Sequence, residues 1–338
     1  MRYMLYNRDV PVAKFQVSGG IVQSFEALRE ELLPKQLVHA SADGFMLWLQ
    51  ARSIDLNTLQ HRQLAHAITG SRDKVSIAIA THMFSISDTF TCFPEGEFTP
   101  RNELCKPSEQ ELVSDFILVS SDTSLNHAGI VTPNFSTDGS FTKTWRFENN
   151  EWWLYKLQSV SATRSECEIG RVLRACDFDA AEYRYVGNYR TRIRTRNFVG
   201  EDEFFEPYDS LRFMFTDKSD YEEVVYENLA SLGDTFEAAW RRILLADALF
   251  MNTDRYMRNF GVIRSAVTGR ILRLAPNFDN NQAYKANPCG KYSDSMLKMF
   301  CNTFELREQE RLDLERLLEA CRHNKYLQSV ATIGSTYI

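Results

Sequence analysis

The stretch from 244 to 279, LLADALFMNTDRYMRNFGVIRSAVTGRILRLAPNFD, constrains this chain more than any other. It opens with Leu244, Leu245, Ala248 and Leu249 at helical spacing. The polar residues Asn252, Thr253 and Asp254 then mark a loop mouth. Asn259 follows Asp254 at D-x-x-x-x-N spacing, with Gly261 just beyond. A β-like run over 271–274 leads to Ala275-Pro276-Asn277-Phe278-Asp279. A carboxylate, a nearby amide and a second carboxylate after a strand are the groups that phosphoryl transfer needs. One carboxylate faces the acceptor hydroxyl; the amide oxygen and the other carboxylate hold Mg2+ on the phosphates.

Each residue also has a structural reading. Asp254 can cap a turn, Asn259 can end a helix before Gly261, and Asp279 can open a turn with Asn280 and Asn281. An Asp and an Asn at this spacing meet by chance about once in a chain of this length. The composite says more, because the spacing matches the protein-kinase catalytic loop and the second Asp follows a strand, as the metal-binding Asp of kinases does.

The 338 residues suit two or three domains, and 44% hydrophobic with 25% charged residues provide for an ordinary globular core. A net charge of −6 argues against direct nucleic-acid binding through a basic surface. The seven cysteines are widely spaced, odd in number and without a C-x-x-C pair, which points to free thiols rather than zinc or disulfides. The first ten residues, MRYMLYNRDV, lack the apolar run of a signal peptide, and no segment reaches the length of a membrane span. The expectation is a cytoplasmic protein without a membrane partner.

Residues 1–17 read as two strands around Asn7-Arg8-Asp9, and 24–33 as a short helix stopping before Pro34. Helices are expected over 45–54 and 56–68, and an irregular connector over much of 72–127. His39, His61 and His66 share no metal-ligand spacing with nearby Cys or carboxylates. Strands are expected over 141–147 and 152–157. Alternation in the second puts Trp153, Tyr155 and Leu157 on one face and Trp152, Leu154 and Lys156 on the other. Lys156 is either an edge-strand gatekeeper or a lysine held for the α/β-phosphates of ATP. A helix over 164–175 places Glu166 on its first turn, as a dipole partner or as the carboxylate that orients Lys156. Strand character returns over 183–196, and 201–220 reads as a crossover. Helices follow over 221–230, 234–249, 294–301 and 306–327.

These residues resemble the HipA-like serine/threonine kinases. Asn252-x-Asp254-Arg255-x-x-x-Asn259-x-Gly261 is similar to that family's N-x-D-x-H-x-x-N segment. Leu274-Ala275-Pro276-Asn277-Phe278-Asp279 is similar to its L-A-P-x-[FY]-D. Ser136 to Lys143 fits the spacing of its phosphate loop, S-x-x-G-x-x-x-K. The resemblance covers about 129–327; residues 1–70 look only loosely like the accessory N-terminal piece of short family members. It implies an α+β, two-lobed protein-kinase-like fold, with an accessory region (1–128), a small β-rich N-lobe (129–208) and a helical C-lobe with the catalytic loop (209–338).

The resemblance also implies ATP and Mg2+ as cofactors. Asp254 becomes the catalytic base, and Asn259 and Asp279 the Mg2+ ligands. Lys156, with Glu166, becomes the ATP-site pair, while Ser136, Gly139 and Ser140 belong to the loop over the phosphates. Ser136 matches the family's autophosphorylation site. The implied partners are a protein substrate and a separately encoded, DNA-binding antitoxin. Two departures stand out: Tyr256 replaces the family's His, and the phosphate loop has one glycine, Gly139. They leave a nucleotide-binding pseudokinase or interaction module as the alternative.

Overall fold

The computed structural model describes residues 1–54, 56, 59–119, 130–136, 141–284, 294–334 and 337. The chain opens with β1 (Arg2–Asn7), β2 (Val10–Ser18) and β3 (Ile21–Ala27). Then come α1 (Ala42–Ala51), α2 (Leu59–Thr69), α3 (Lys74–Ala80), β4 (Phe90–Pro94), α4 (Arg101–Leu104) and α5 (Pro107–Val119). β5 (Thr142–Glu148) and β6 (Glu151–Leu157) form an antiparallel hairpin. α6 (Val160–Ala175) precedes a second hairpin, β7 (Tyr183–Val186) and β8 (Tyr189–Arg196). The rest is β9 (Glu203–Pro207), α7 (Tyr208–Leu211), α8 (Glu222–Ala230), α9 (Asp234–Phe250), β10 (Gly261–Ser265), β11 (Ile271–Leu274), α10 (Ser295–Thr303), α11 (Glu308–Arg322) and α12 (Gln328–Gly334).

Two compact units emerge. The first comprises Met1–Leu157, Val199–Glu206 and Ile263–Leu272; the second comprises Gln158–Phe198, Pro207–Val262 and Arg273–Ile338. In the first, a sheet of order β3-β2-β1-β4 buries Leu5, Val12, Phe15 and Phe90 against Phe45, Trp48 and Leu49 of α1. Asn7 is buried among them and satisfied at both ends. Its Nδ2 donates to Leu32 O at 3.0 Å, and its Oδ1 accepts from Thr89 Oγ1 at 2.6 Å.

The helix expected over 24–33 is instead strand β3 followed by a single 3-10 turn, Glu30–Leu32. Gly19 and Gly20 explain the difference. With φ of 58° and 76° they form a tight reversal that lays Ile21 opposite Ser18, and antiparallel pairing to β2 then carries the chain on as strand. The connector expected over 72–127 likewise contains α3, β4 and α5. β4 is buried along nearly its whole length, so it shows no alternation for a sequence reading to find.

An ion pair at the centre of the first unit fixes its three chain segments to one another. The guanidinium of Arg264 is fully buried. Its Nη1 donates to Glu206 Oε2 at 2.5 Å and to Leu33 O at 2.9 Å, its Nη2 to Glu31 O at 2.8 Å, and its Nε to Gly269 O at 2.9 Å. Gly269 has φ of 70°, and a Cβ there would stand 1.8 Å from Glu31 O, so this approach requires glycine.

In the second unit, α6, α9, α10, α11 and α12 share a core containing Leu173, Leu245, Leu249, Leu297, Leu314, Leu318 and Val330. α6 is longer than expected, because Ser159 caps it by accepting from Ala162 N–H. Glu166 therefore lies in its second turn rather than its first. α11 stops at Arg322, short of the expected 327. Among the described residues, no helix is long and apolar enough to cross a membrane.

Candidate active site

Helix α9 delivers the site. It ends where Met251 takes a left-handed conformation (φ 53°), which turns the chain back so that Met251 and Asn252 both donate to Asp247 O. Asp247, on the last turn, is thereby set beside the loop that follows. Its Oδ2 accepts from Arg255 Nε at 2.8 Å, and its Oδ1 from Arg255 Nη2 at 2.8 Å and Asn252 Nδ2 at 3.0 Å. This is a two-pronged, buried ion pair.

The rest of the Arg255 guanidinium gathers backbone. Nη1 donates to Asn259 O at 2.9 Å and to Phe278 O at 2.5 Å, and Nη2 donates to Asn280 Oδ1 at 3.0 Å. One side chain thus ties the 254–259 loop to the residue before Asp279. Burial works against its charge, but Asp247 beside it and Asp279 beyond hold the guanidinium pKa above its ordinary value.

Asp254, Asn259 and Asp279 are brought together within the second unit. Asn259 is buried, and its Nδ2 donates to Asp254 O at 2.9 Å, which closes the loop and leaves Oδ1 as the end of the amide without a hydrogen bond among the described residues. No helix runs through 256–259, and Gly261 opens β10. Ala275 N–H donates to Gly261 O at 2.9 Å. Asn277 pairs with the chain at 179–181: its N–H donates to Asp179 O at 2.8 Å, and its O accepts from Ala181 N–H at 2.9 Å. These bonds aim the chain into Asp279, whose φ of 61° is left-handed. Asp279 N–H donates to Tyr183 Oη at 2.9 Å. Its Oδ1 accepts from Asn281 Nδ2 at 3.0 Å, the Asp279-to-Asn281 turn that the sequence allowed.

Glu166 is fully buried on α6 and accepts from Gln158 Nε2 at 2.5 Å. In the first unit, Lys156 is buried on β6. The β5–β6 register places Lys143 directly opposite Lys156. Asn134 fastens the approach to this hairpin: its Oδ1 accepts from Trp145 N–H at 2.7 Å and from Thr144 Oγ1 at 3.0 Å. Ser136 closes the 3-10 turn Pro133–Ser136, whereas Gly139 and Ser140 lie outside the described residues.

For Mg2+, the donor set is the relevant test. Among the described residues, no three His, Cys, Asp or Glu side chains gather to hold a metal by themselves. Beside Asp279, however, the buried Asn281 Oδ1 has no hydrogen-bond partner among the described residues. Asn259 Oδ1 and the half-buried Asp279 carboxylate are oxygen donors of the kind taken by Mg2+, an ion that uses few protein ligands and completes its shell with phosphates and water.

Sequence reasoning passed over Arg255, Asp247 and Gln158 as functional residues. The first two stand inside the 244–279 stretch, but their pairing depends on the left-handed reversal at Met251, which residue spacing does not show. Tyr256 is 50% exposed, a surface position. The six described cysteines are free; burial pushes the thiols of Cys92, Cys105, Cys167 and Cys321 up to about 12.

No protein-family model matches the chain, and no curated protein matches it. Solved structures do. A chain of the Shewanella oneidensis MR-1 toxin–antitoxin system HipA, HipB and its operator DNA complex aligns over 98% of this chain and 90% of its own length, with a TM-score of 0.56 at 13% identity. The fold is α+β and HipA-like. The Helicobacter pylori proinflammatory kinase CtkA aligns over 57% of this chain and 88% of its own, at 14% identity and a TM-score of 0.42, too loosely to bear on the fold. At these identities the HipA likeness concerns architecture alone.

Proposed function

We propose that this chain is an ATP- and Mg2+-dependent serine/threonine protein kinase of HipA type. The observation that carries the reading is the Arg255 clamp, which bonds to the carbonyls of Asn259 and Phe278 and so ties the loop of Asp254 and Asn259 to the residue before Asp279, on a HipA-like fold. In this reading, residues 129–208 cover the nucleotide, 209–338 hold the catalytic loop, and 1–128 are accessory.

Asp254 is the base that accepts the proton of the acceptor hydroxyl, and its half-buried position leaves it accessible. Asn259 Oδ1, the Asp279 carboxylate and Asn281 Oδ1 hold Mg2+. Bound MgATP supplies the phosphoryl group and the neutralising cation. Lys143 and Lys156 add support. Lys143 stands opposite Lys156 on the β5–β6 hairpin, and Lys156 is the candidate contact for the α/β-phosphates. Glu166, held by Gln158, is the candidate acidic member of the ATP site. Ser136 is the candidate self-modification site, where phosphate would add about −1.5 to −2 charge beside the nucleotide and drive the loop out. The HipA–HipB–operator complex motivates a separately encoded, DNA-binding antitoxin as the partner.

The test is incubation with MgATP, followed by intact mass and peptide mapping, beside Asp254→Asn. The expected result is a phosphate-sized gain in the parent alone, mapping to Ser136 or Ser140. A gain of equal size in Asp254→Asn would remove Asp254 from the mechanism.

A further inference from the structure

A second feature of the second unit stands apart from the candidate active site. On the outer face of α6, where that helix meets the α11–α12 junction, an open cleft of about 890 Å3 is lined by Arg164, Arg171, Lys325, Asn324, Tyr284 and Tyr326, among others. Arg164 also borders an adjoining cavity of about 400 Å3 that contains Arg190. In a chain of net charge −6, this is a local concentration of cations. Glu168 is the acidic residue of the wall, and it is engaged: it accepts from Arg171 Nη1 at 2.7 Å, Asn324 Nδ2 at 2.9 Å and Tyr185 Oη at 3.1 Å.

The guanidinium of Arg164 lies 5.1 Å from the centre of the Tyr326 ring and makes no ion pair or hydrogen bond among the described residues. Lys325 likewise has no charged partner among them. The floor is well fixed. Tyr326 Oη donates to Tyr284 O at 3.1 Å and lies 3.2 Å from Ser165 Oγ, which donates to Ala283 O at 2.7 Å. The two tyrosine rings meet edge to face, with centroids 5.0 Å apart.

We infer that this cleft binds a small nucleotide, its phosphate on Arg164 and Lys325 and its base against the Tyr284–Tyr326 wall. Cations without partners beside preset aromatic rings suit a phosphate ester joined to a flat ring, and the volume lies in the usual range for such ligands. The site is independent of the proposed phosphoryl transfer and shares no residue with it.

Calorimetry with AMP on the full chain tests this, with inorganic phosphate as the second probe. AMP is expected to bind the parent, to bind at least tenfold more weakly to Arg164→Ala and to Lys325→Ala, and to bind Lys298→Ala, an exposed lysine outside the cleft, unchanged, while Lys156→Met reports separately on nucleotide held at the candidate active site. Lys325 is exposed, so its variant remains informative even if Arg164→Ala alters the melting temperature. Phosphate is expected to bind at least tenfold more weakly than AMP. Absence of AMP binding, AMP binding that follows Lys156 instead of Arg164 and Lys325, or phosphate binding as tight as that of AMP would each overturn the assignment.

Discussion

Arg255 is the residue on which the candidate site depends most. Its removal leaves the Asp247 carboxylate buried without its cation and releases the carbonyls of Asn259 and Phe278. Breaking a buried pair on one side costs about 3–5 kcal/mol, so Arg255→Ala should lower unfolding free energy by about that amount in a urea titration. Arg255→Lys keeps the charge but not the five-donor fork, and should recover only part of the loss. Asp254→Asn, at a half-buried position, should leave stability within about 0.5 kcal/mol of the parent. Asp254, Asn259 and Asp279 stand out in the sequence as candidates because the proposed chemistry depends on residue type and spacing. The role of Arg255 was not legible there, because its partner Asp247 lies on a helix and becomes a neighbour only through the left-handed reversal at Met251.

Among the elements, the 263–272 hairpin and the 30–35 segment are joined by Arg264 and Gly269. Gly269→Ala meets Glu31 O and a left-handed φ together, and the backbone strain alone is worth about 1–3 kcal/mol. Arg264→Ala strands the Glu206 carboxylate and should cost about 3–5 kcal/mol; thermal melts of both variants check this. In the second unit, Arg241 of α9 donates to Glu310 of α11, with Nη2 to Oε2 at 2.7 Å. Burial raises the Glu310 pKa, but the bonds from Arg241 and from Arg307 N–H outweigh it, and the carboxyl titrates below its ordinary 4.5. The unfolded chain therefore binds this proton first. The pair's contribution is full above about pH 4.5 and fades as pH falls through the folded value. Glu310→Gln should flatten the loss of stability between about pH 5 and 3 in urea titrations repeated across that range. The sequence disclosed α1, α9, β5 and β6 through clear periodicity. It misplaced β3, where a paired glycine turn overrides local helical spacing, and β4, where full burial removes the alternation.

For the whole molecule, the HipA-like fold was legible through a resemblance spanning about 129–327, while which segments each unit collects was not, because each unit draws on distant parts of the chain. If MgATP binds the folded chain, it should stabilise it by about 2.7 kcal/mol at a hundredfold excess over Kd, read as a rise in melting temperature that Lys156→Met diminishes. The most direct measurement remains transfer itself: the purified chain with MgATP, beside Asp254→Asn and Asp279→Asn, followed by intact mass and by labelled phosphate on protein substrates. The account predicts phosphate incorporated by the parent and by neither variant, with all three chains folded. Incorporation that persists in both variants would contradict it.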